Sequence, residues 1–208
     1  MPELPSRIPL FPLPETVLFP LMPLSLHIFE PRYVQMVKDA REGARLIGMT
    51  LLRPGWEGTY YGRPPIYPFG CAGLLEECDL LDNGRFNILL RGIARFRVSD
   101  EHLGQPYRLA EVEYAPESEG DAAALGQART QILAQLGEQV EGVLAVREDV
   151  PHEVFVNALS QSLDFSPVER QSLLECGTIE DRGAQLLEIL RFHRLEKASR
   201  SGGDFTLH

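Results

Sequence analysis

A change of hydrophobic period near residue 116 constrains this chain more than any single motif. Before it, short apolar runs recur between prolines and glycines: Arg7 to Phe11, Thr16 to Phe19, Leu24 to Ile28, Arg45 to Leu52, Gly70 to Leu81, Arg85 to Val98 and Tyr107 to Tyr114. Runs of that length and punctuation read as strands. Prolines 9, 12, 14, 20 and 23 remove backbone donors, so the first runs are expected as edge or bulged strands and not central ones. One helix interrupts the series, with Pro31 in its first turn and Tyr33, Val34 and Val37 giving an apolar face up to about Ala40.

After Pro116 apolar residues step by three and four. Leu125, Ala128, Ile132, Leu136, Val140 and Val143 predict a helix from about Asp121 to Val146. Pro151 opens a second, carrying Phe155, Ala158 and Leu159, and the capping-box pattern Ser166-Pro167-Val168-Glu169 opens a short third that Gly177 stops. A fourth, roughly Thr178 to Ala198, presents Ile179, Leu186, Leu187 and Leu190. The expected class is α+β, with a β-rich subdomain over 1–116, a helical subdomain over 117–198 and a flexible tail over 199–208.

Composition then narrows the chemistry. The chain has 208 residues, 30 acidic and 20 basic, and only Lys38 and Lys197 are lysines. A broad basic footprint for nucleic acid is not visible. There is no G-x-x-x-x-G-K-[ST], G-x-S-x-G or H-E-x-x-H, and a Ser-Lys dyad would have to use a lysine on a predicted polar helix surface. The histidines at 27, 102, 152, 193 and 208 lack metal-ligand spacing. Cys71, Cys78 and Cys176 form an odd set, read as buried, inert thiols of a cytoplasmic protein. The proline-rich N-terminus resembles neither a signal peptide nor a membrane span. The expectation is a protein without enzymatic activity, cofactor, metal or membrane attachment.

Arg85, Arg91, Arg95 and Arg97 are all odd-numbered within RFNILLRGIARFRV, so an unbroken strand would place them on one face, opposite Phe86, Ile88, Leu90, Phe96 and Val98. Such a face could grip carboxylates or phosphates. A solvated face is the simpler expectation: an antiparallel register of 97 with 111 sets Arg97 against Glu111 and Arg95 against Glu113, and Gly92 could bulge the strand and turn Arg91 away.

The stretch IPLFPLPETVLFPLMPLSLHIFEPRYVQMV resembles the opening of the Lon protease N-terminal domain family, through Pro9 to Leu13, Val17 to Pro20 and His27 to Tyr33 in that order. GRFNILLRGIARFRV (84–98) and YRLAEVEYAPE (107–117) are similar to the family's long hairpin strand and the strand after it. The resemblance implies a PUA-like β pseudo-barrel followed by a helical bundle, and a substrate-recognition module without the ATPase and Ser-Lys peptidase modules of full-length Lon. Within IFEPRY, Pro31 is expected to start the helix, Glu30 to favour its N-terminus, Ile28, Phe29 and Tyr33 to fix it against the sheet, and Arg32 to pair locally. The implied function is binding of unfolded or extended polypeptide, or of another protein, through Phe11, Leu13, Phe19, Leu21 and Phe29, with Arg32, Arg91 and Arg95 as a polar groove. An RNA-binding role of the PUA-like fold is the alternative, with nucleic acid disfavoured by the acidic balance; a homo-oligomer is allowed. The loop 53–65, bearing Trp56, Tyr60 and Tyr61, is expected to cover a barrel end or to hold a ligand.

Overall fold

The computed structural model describes residues 4–137 and 149–201. Its contacts divide the chain into two compact units, Met1–Pro116 with Gln161–Glu175, and Glu117–Ser160 with Cys176–His208. The segment after residue 116 is therefore split between the units.

In the first unit, six strands form one mixed sheet: β1 (Arg7–Leu13), β2 (Pro23–Ile28), β3 (Leu46–Leu52), β4 (Ile66–Leu80), β5 (Phe86–His102) and β6 (Arg108–Ala115). The order β2-β5-β4-β3-β1-β6 carries an additional β5–β6 pairing, so β1, β3, β4, β5 and β6 close into a ring and β2 hangs outside it on β5. This is the pseudo-barrel. Ile8, Leu10, Leu46, Ala72, Phe96, Ala110 and Val112 form a buried cluster of its core. Gly48 and Gly70 admit the Phe96 ring, whose Cζ would lie 2.9 and 2.7 Å from a Cβ at those positions.

The prolines of β1 are in the ring, not at an edge. Arg7 to Leu10 pair antiparallel with β6 and Leu10 to Leu13 pair parallel with β3, so the two partners overlap only at Leu10. Each half of the strand thus has one open side, and Pro9 and Pro12 interrupt neither ladder. β2 is the edge strand that was expected. Val17 to Phe19 are not a strand at all: they are buried in an irregular segment, with the Phe19 N–H donating to Gln161 Oε1 at 3.1 Å.

Helix α1 (Pro31–Glu42) connects β2 to β3, beginning at Pro31 and packing Tyr33, Met36, Val37 and Ala40 inward. α4 (Pro167–Glu175) belongs to this unit as well. Its Ser166/Glu169 capping box is formed in both directions, with Ser166 N donating to Glu169 Oε2 at 2.7 Å and Glu169 N donating to Ser166 Oγ at 3.3 Å. Backbone carbonyls explain its place. Gln171 Nε2 donates to Phe69 O at 3.1 Å, and the Leu174 carbonyl accepts from Arg95 Nη1 at 3.0 Å.

The second unit contains α2 (Ala122–Leu136), most of α3 (His152–Ser162) and α5 (Ile179–Ser201). Asp121 caps α2 by accepting from the N–H groups of Ala123 and Ala124. Leu125, Ile132 and Leu136 are buried as the spacing predicts, while Val140 and Val143 lie outside the described residues. Arg182 is fully buried, donating to Asn157 Oδ1 and paired with Glu117. No helix among the described residues is long and apolar enough to cross a membrane. The three cysteines form no disulfide; Cys71 is buried, and Cys78 and Cys176 are half-buried.

Candidate functional site

The IFEPRY block places its side chains in two directions. Ile28 and Tyr33 are buried, and the Tyr33 ring lies 4.4 Å from that of Phe11 on β1, which fixes α1 to the barrel. Phe29, expected to help hold the helix, is instead 59% exposed. It lines a small cleft with Phe11, Leu13, Leu26 and Ile28, closed at one side by Tyr33 and Tyr60. Arg32 pairs locally as expected, its Nε donating to Glu30 Oε2 at 3.1 Å.

The 53–65 loop completes the site. Glu57–Thr59 form one 3-10 turn, and the rings of Trp56, Tyr60 and Tyr61 stack edge-on in sequence, 5.4 and 5.3 Å apart. The Tyr60 hydroxyl donates to Glu30, and the Arg32 guanidinium lies over the Tyr33 and Tyr60 rings at 4.5 and 4.9 Å. Burial and the bond to Glu30 both raise the Tyr60 phenol above its ordinary pKa. The loop is thus tied to the first turn of α1.

Between loop and helix opens a pocket of about 270 Å³, lined by Arg32, Tyr33, Tyr60, Arg63, Tyr107 and Arg108 among others. Arg63 and Arg108 share Glu101, at 3.4 and 3.3 Å, and Arg108 Nη2 donates to Pro64 O. Burial lowers the pKa of Arg108; Glu101 opposes that, while Arg63 and Arg32 add to it. Burial and the hydrogen bond to Asp39 hold the Tyr107 phenol well above its ordinary value.

Four of the eight residues expected to bind line this surface: Phe11, Leu13 and Phe29 the cleft, and Arg32 the pocket. The others are elsewhere. Phe19 is completely buried and serves the core, and Leu21 is exposed beside Arg91, which donates to its carbonyl at 3.2 Å. Arg91 pairs with Glu76 at 2.6 Å, whereas Arg95 is 3% exposed. These two cannot form one groove, because a bulge adjoining Gly92 shifts the register between Ala72/Ala94 and Gly73/Gly92. The β5–β6 register also differs from the expected one by two residues, setting Arg97 opposite Glu113 and Arg95 opposite Ala115. Arg63, Tyr107 and Arg108 escaped sequence reasoning because they come from a loop and a strand start far from IFEPRY in the chain.

A closed barrel with an outlying edge strand, a crossover helix and helices after it defines an α+β domain of the PUA-like class. The family of the ATP-dependent protease La (LON) substrate-binding domain matches residues 7–191, and the chain belongs to that family. It is 22% identical over 204 residues to a Lon protease of Flavobacterium johnsoniae, covering 93% of this chain and 24% of that protein. It is 29% identical over 199 residues to Lon protease 2 of Sorangium cellulosum, covering 89% of this chain and again 24% of the relative. The chain thus spans about a quarter of the length of these relatives. Among solved structures, a Lon N-terminal domain protein from Xanthomonas campestris superposes with a TM-score of 0.65 at 26% identity, covering 88% of this chain and 98% of that one. The N-terminal domain of a Mycobacterium avium complex Lon protease gives 0.71 at 16% identity, with 90% and 99% covered, a likeness of fold alone.

Proposed function

We propose that this chain binds extended or unfolded polypeptide, or an exposed segment of another protein, at the cleft beside the first turn of α1, and carries out no chemistry on it. The exposure of Phe29 carries the reading. A large aromatic side chain held out of the core beside Phe11, Leu13, Leu26 and Ile28 offers apolar area to a ligand without local unfolding. The neighbouring strand supplies a second mode of attachment: β2 pairs with β5 on one side, and no strand among the described residues pairs with its other side. An incoming segment can add there as a strand, with backbone hydrogen bonds giving affinity and the cleft selecting side chains.

The non-catalytic part of the reading rests on the lysines and the motifs. Lys38 is exposed on α1 and Lys197 is exposed on α5, on separate helices. The arginines of β5 argue against the RNA-binding alternative, since Arg91 is paired, Arg95 is buried and Arg97 stands opposite Glu113.

Replacing Phe29 with aspartate is expected to weaken binding of a fluorescently labelled unfolded polypeptide by roughly tenfold or more, the effect of losing an apolar anchor. Because Phe29 is mostly exposed, the variant should keep the parent's unfolding midpoint. Equal affinities of the two proteins, measured by anisotropy, would remove the cleft from the binding surface.

A further inference from the structure

The pocket at the start of α1 runs against the charge of the chain. With 30 acidic and 20 basic residues overall, the protein nonetheless lines this pocket with Arg32, Arg63 and Arg108 and, among the described residues, with no aspartate or glutamate. Glu30, which lines the adjoining cleft, and Glu101 pair with these arginines, so two carboxylates are shared among three guanidinium groups. Asp39, outside the pocket lining, accepts from Tyr107 and Gln35. Arg108 is 7% exposed, a cost in desolvation that a further anion would offset. Arg32 Nη2 is buried and stands 3.1 Å from the Glu30 carboxylate, so Glu30 holds this guanidinium in place at the pocket wall. Planar guanidinium groups with tyrosines around them suit an oxyanion.

The size and neighbourhood of the pocket indicate what carries that oxyanion. At about 270 Å³ it falls below the range of about 300–1,000 Å³ usual for a whole drug-sized ligand. It suits one end of something longer. Tyr33 and Tyr60 line both this pocket and the Phe11–Phe29 cleft, so the two adjoin across these rings.

We propose that the pocket captures the free C-terminal carboxylate of a polypeptide while a preceding apolar side chain enters the cleft. This rests on the peptide-binding reading above and names the feature of the ligand that the site selects. Recognition of chain ends through a fixed set of donors is a known way to gain specificity from a single charge.

The test uses three labelled peptides of one apolar sequence: the free acid, its C-terminal amide, and the amide with an internal glutamate. The free acid should bind roughly tenfold more tightly than either amide, as expected for one or two charge-assisted hydrogen bonds. Arg63→Gln, at a side chain 36% exposed, and Arg32→Gln should each shrink that ratio toward one. Equal binding of acid and amide, or a ratio untouched by both substitutions, would overturn the carboxylate pocket and leave peptide binding standing. An internal-glutamate amide that matches the acid would overturn the chain-end assignment. Failure of all three peptides to bind would overturn both proposals together.

Discussion

Arg182→Leu should destabilise the helical unit by about 3–5 kcal/mol, the usual consequence of removing one partner from a buried ion pair. The Arg182 side chain is completely buried, between the Glu117 carboxylate, itself 10% exposed, and Asn157 Oδ1. Glu117 ends the strand-rich part of the sequence, Asn157 lies on α3 and Arg182 in the first turns of α5, so one guanidinium ties three separate segments. Leucine fills much of the volume but takes the Arg182 guanidinium away from the part-buried Glu117 carboxylate and the buried Asn157 amide. The double variant Arg182→Leu with Glu117→Met should recover most of the loss, because an apolar pair of similar size replaces a buried ion pair at little cost. Urea denaturation of parent, single and double variants reads this directly. A double variant no more stable than the single would show that the pair is not what holds these segments.

The second large effect belongs to the barrel. Gly92 sits where the irregular Val17–Met22 segment crosses β5, and a Cβ there would overlap the Phe19 carbonyl oxygen and come within 3.1 Å of Pro20 Cα. The crossing is held by Leu21 N–H donating to Gly92 O at 2.8 Å and Gly92 N–H donating to Met22 O at 3.0 Å. The obstruction is backbone, which cannot step aside as a flexible side chain would. Gly92→Ala should therefore cost about 3 kcal/mol, at the upper end for overpacking, by lifting the segment that leads into β2. Gly126→Ala is the matched control: its Cβ would meet nothing within 4 Å on α2, and the substitution should stabilise by up to about 1 kcal/mol through helix propensity. A Gly92→Ala protein that unfolds with the parent's midpoint would contradict the close crossing.

These positions also show which parts of the fold are readable from residue order. Pro31 and the Ser166/Glu169 box start helices where expected, because caps act through neighbours in sequence. Alternation along Phe86, Ile88 and Leu90 correctly gives the buried face of the first half of β5. Beyond Gly92, Phe96 is still buried and Val98 packs against the same core, but the bulge breaks the single face, burying Arg95 as well and sending it to the Leu174 carbonyl. Proline content misplaces β1, because a strand that exchanges partners at Leu10 has open sides that no local pattern reveals. The membership of α4 in the barrel unit depends on Gln171 meeting the carbonyl of Phe69, far away in sequence.

The site divides in the same way. Phe11, Leu13, Phe29 and Arg32 were legible because they lie in one continuous motif, and the aromatic loop was marked by its composition. Arg63 and Arg108 were not: one is a single basic residue in a Gly/Pro loop and the other the first residue of a strand. Only the folded chain brings them together with Arg32.

Binding of polypeptide at the cleft beside α1 can be read residue by residue by titrating the isotopically labelled protein with an unfolded polypeptide and mapping the backbone amides that shift. Saturable changes are expected in β1, in Leu24 to Tyr33 and in the Trp56–Arg63 loop, reduced in Phe29→Asp. Binding that leaves those amides unmoved and shifts a different surface, or no binding at all, would contradict binding at the cleft.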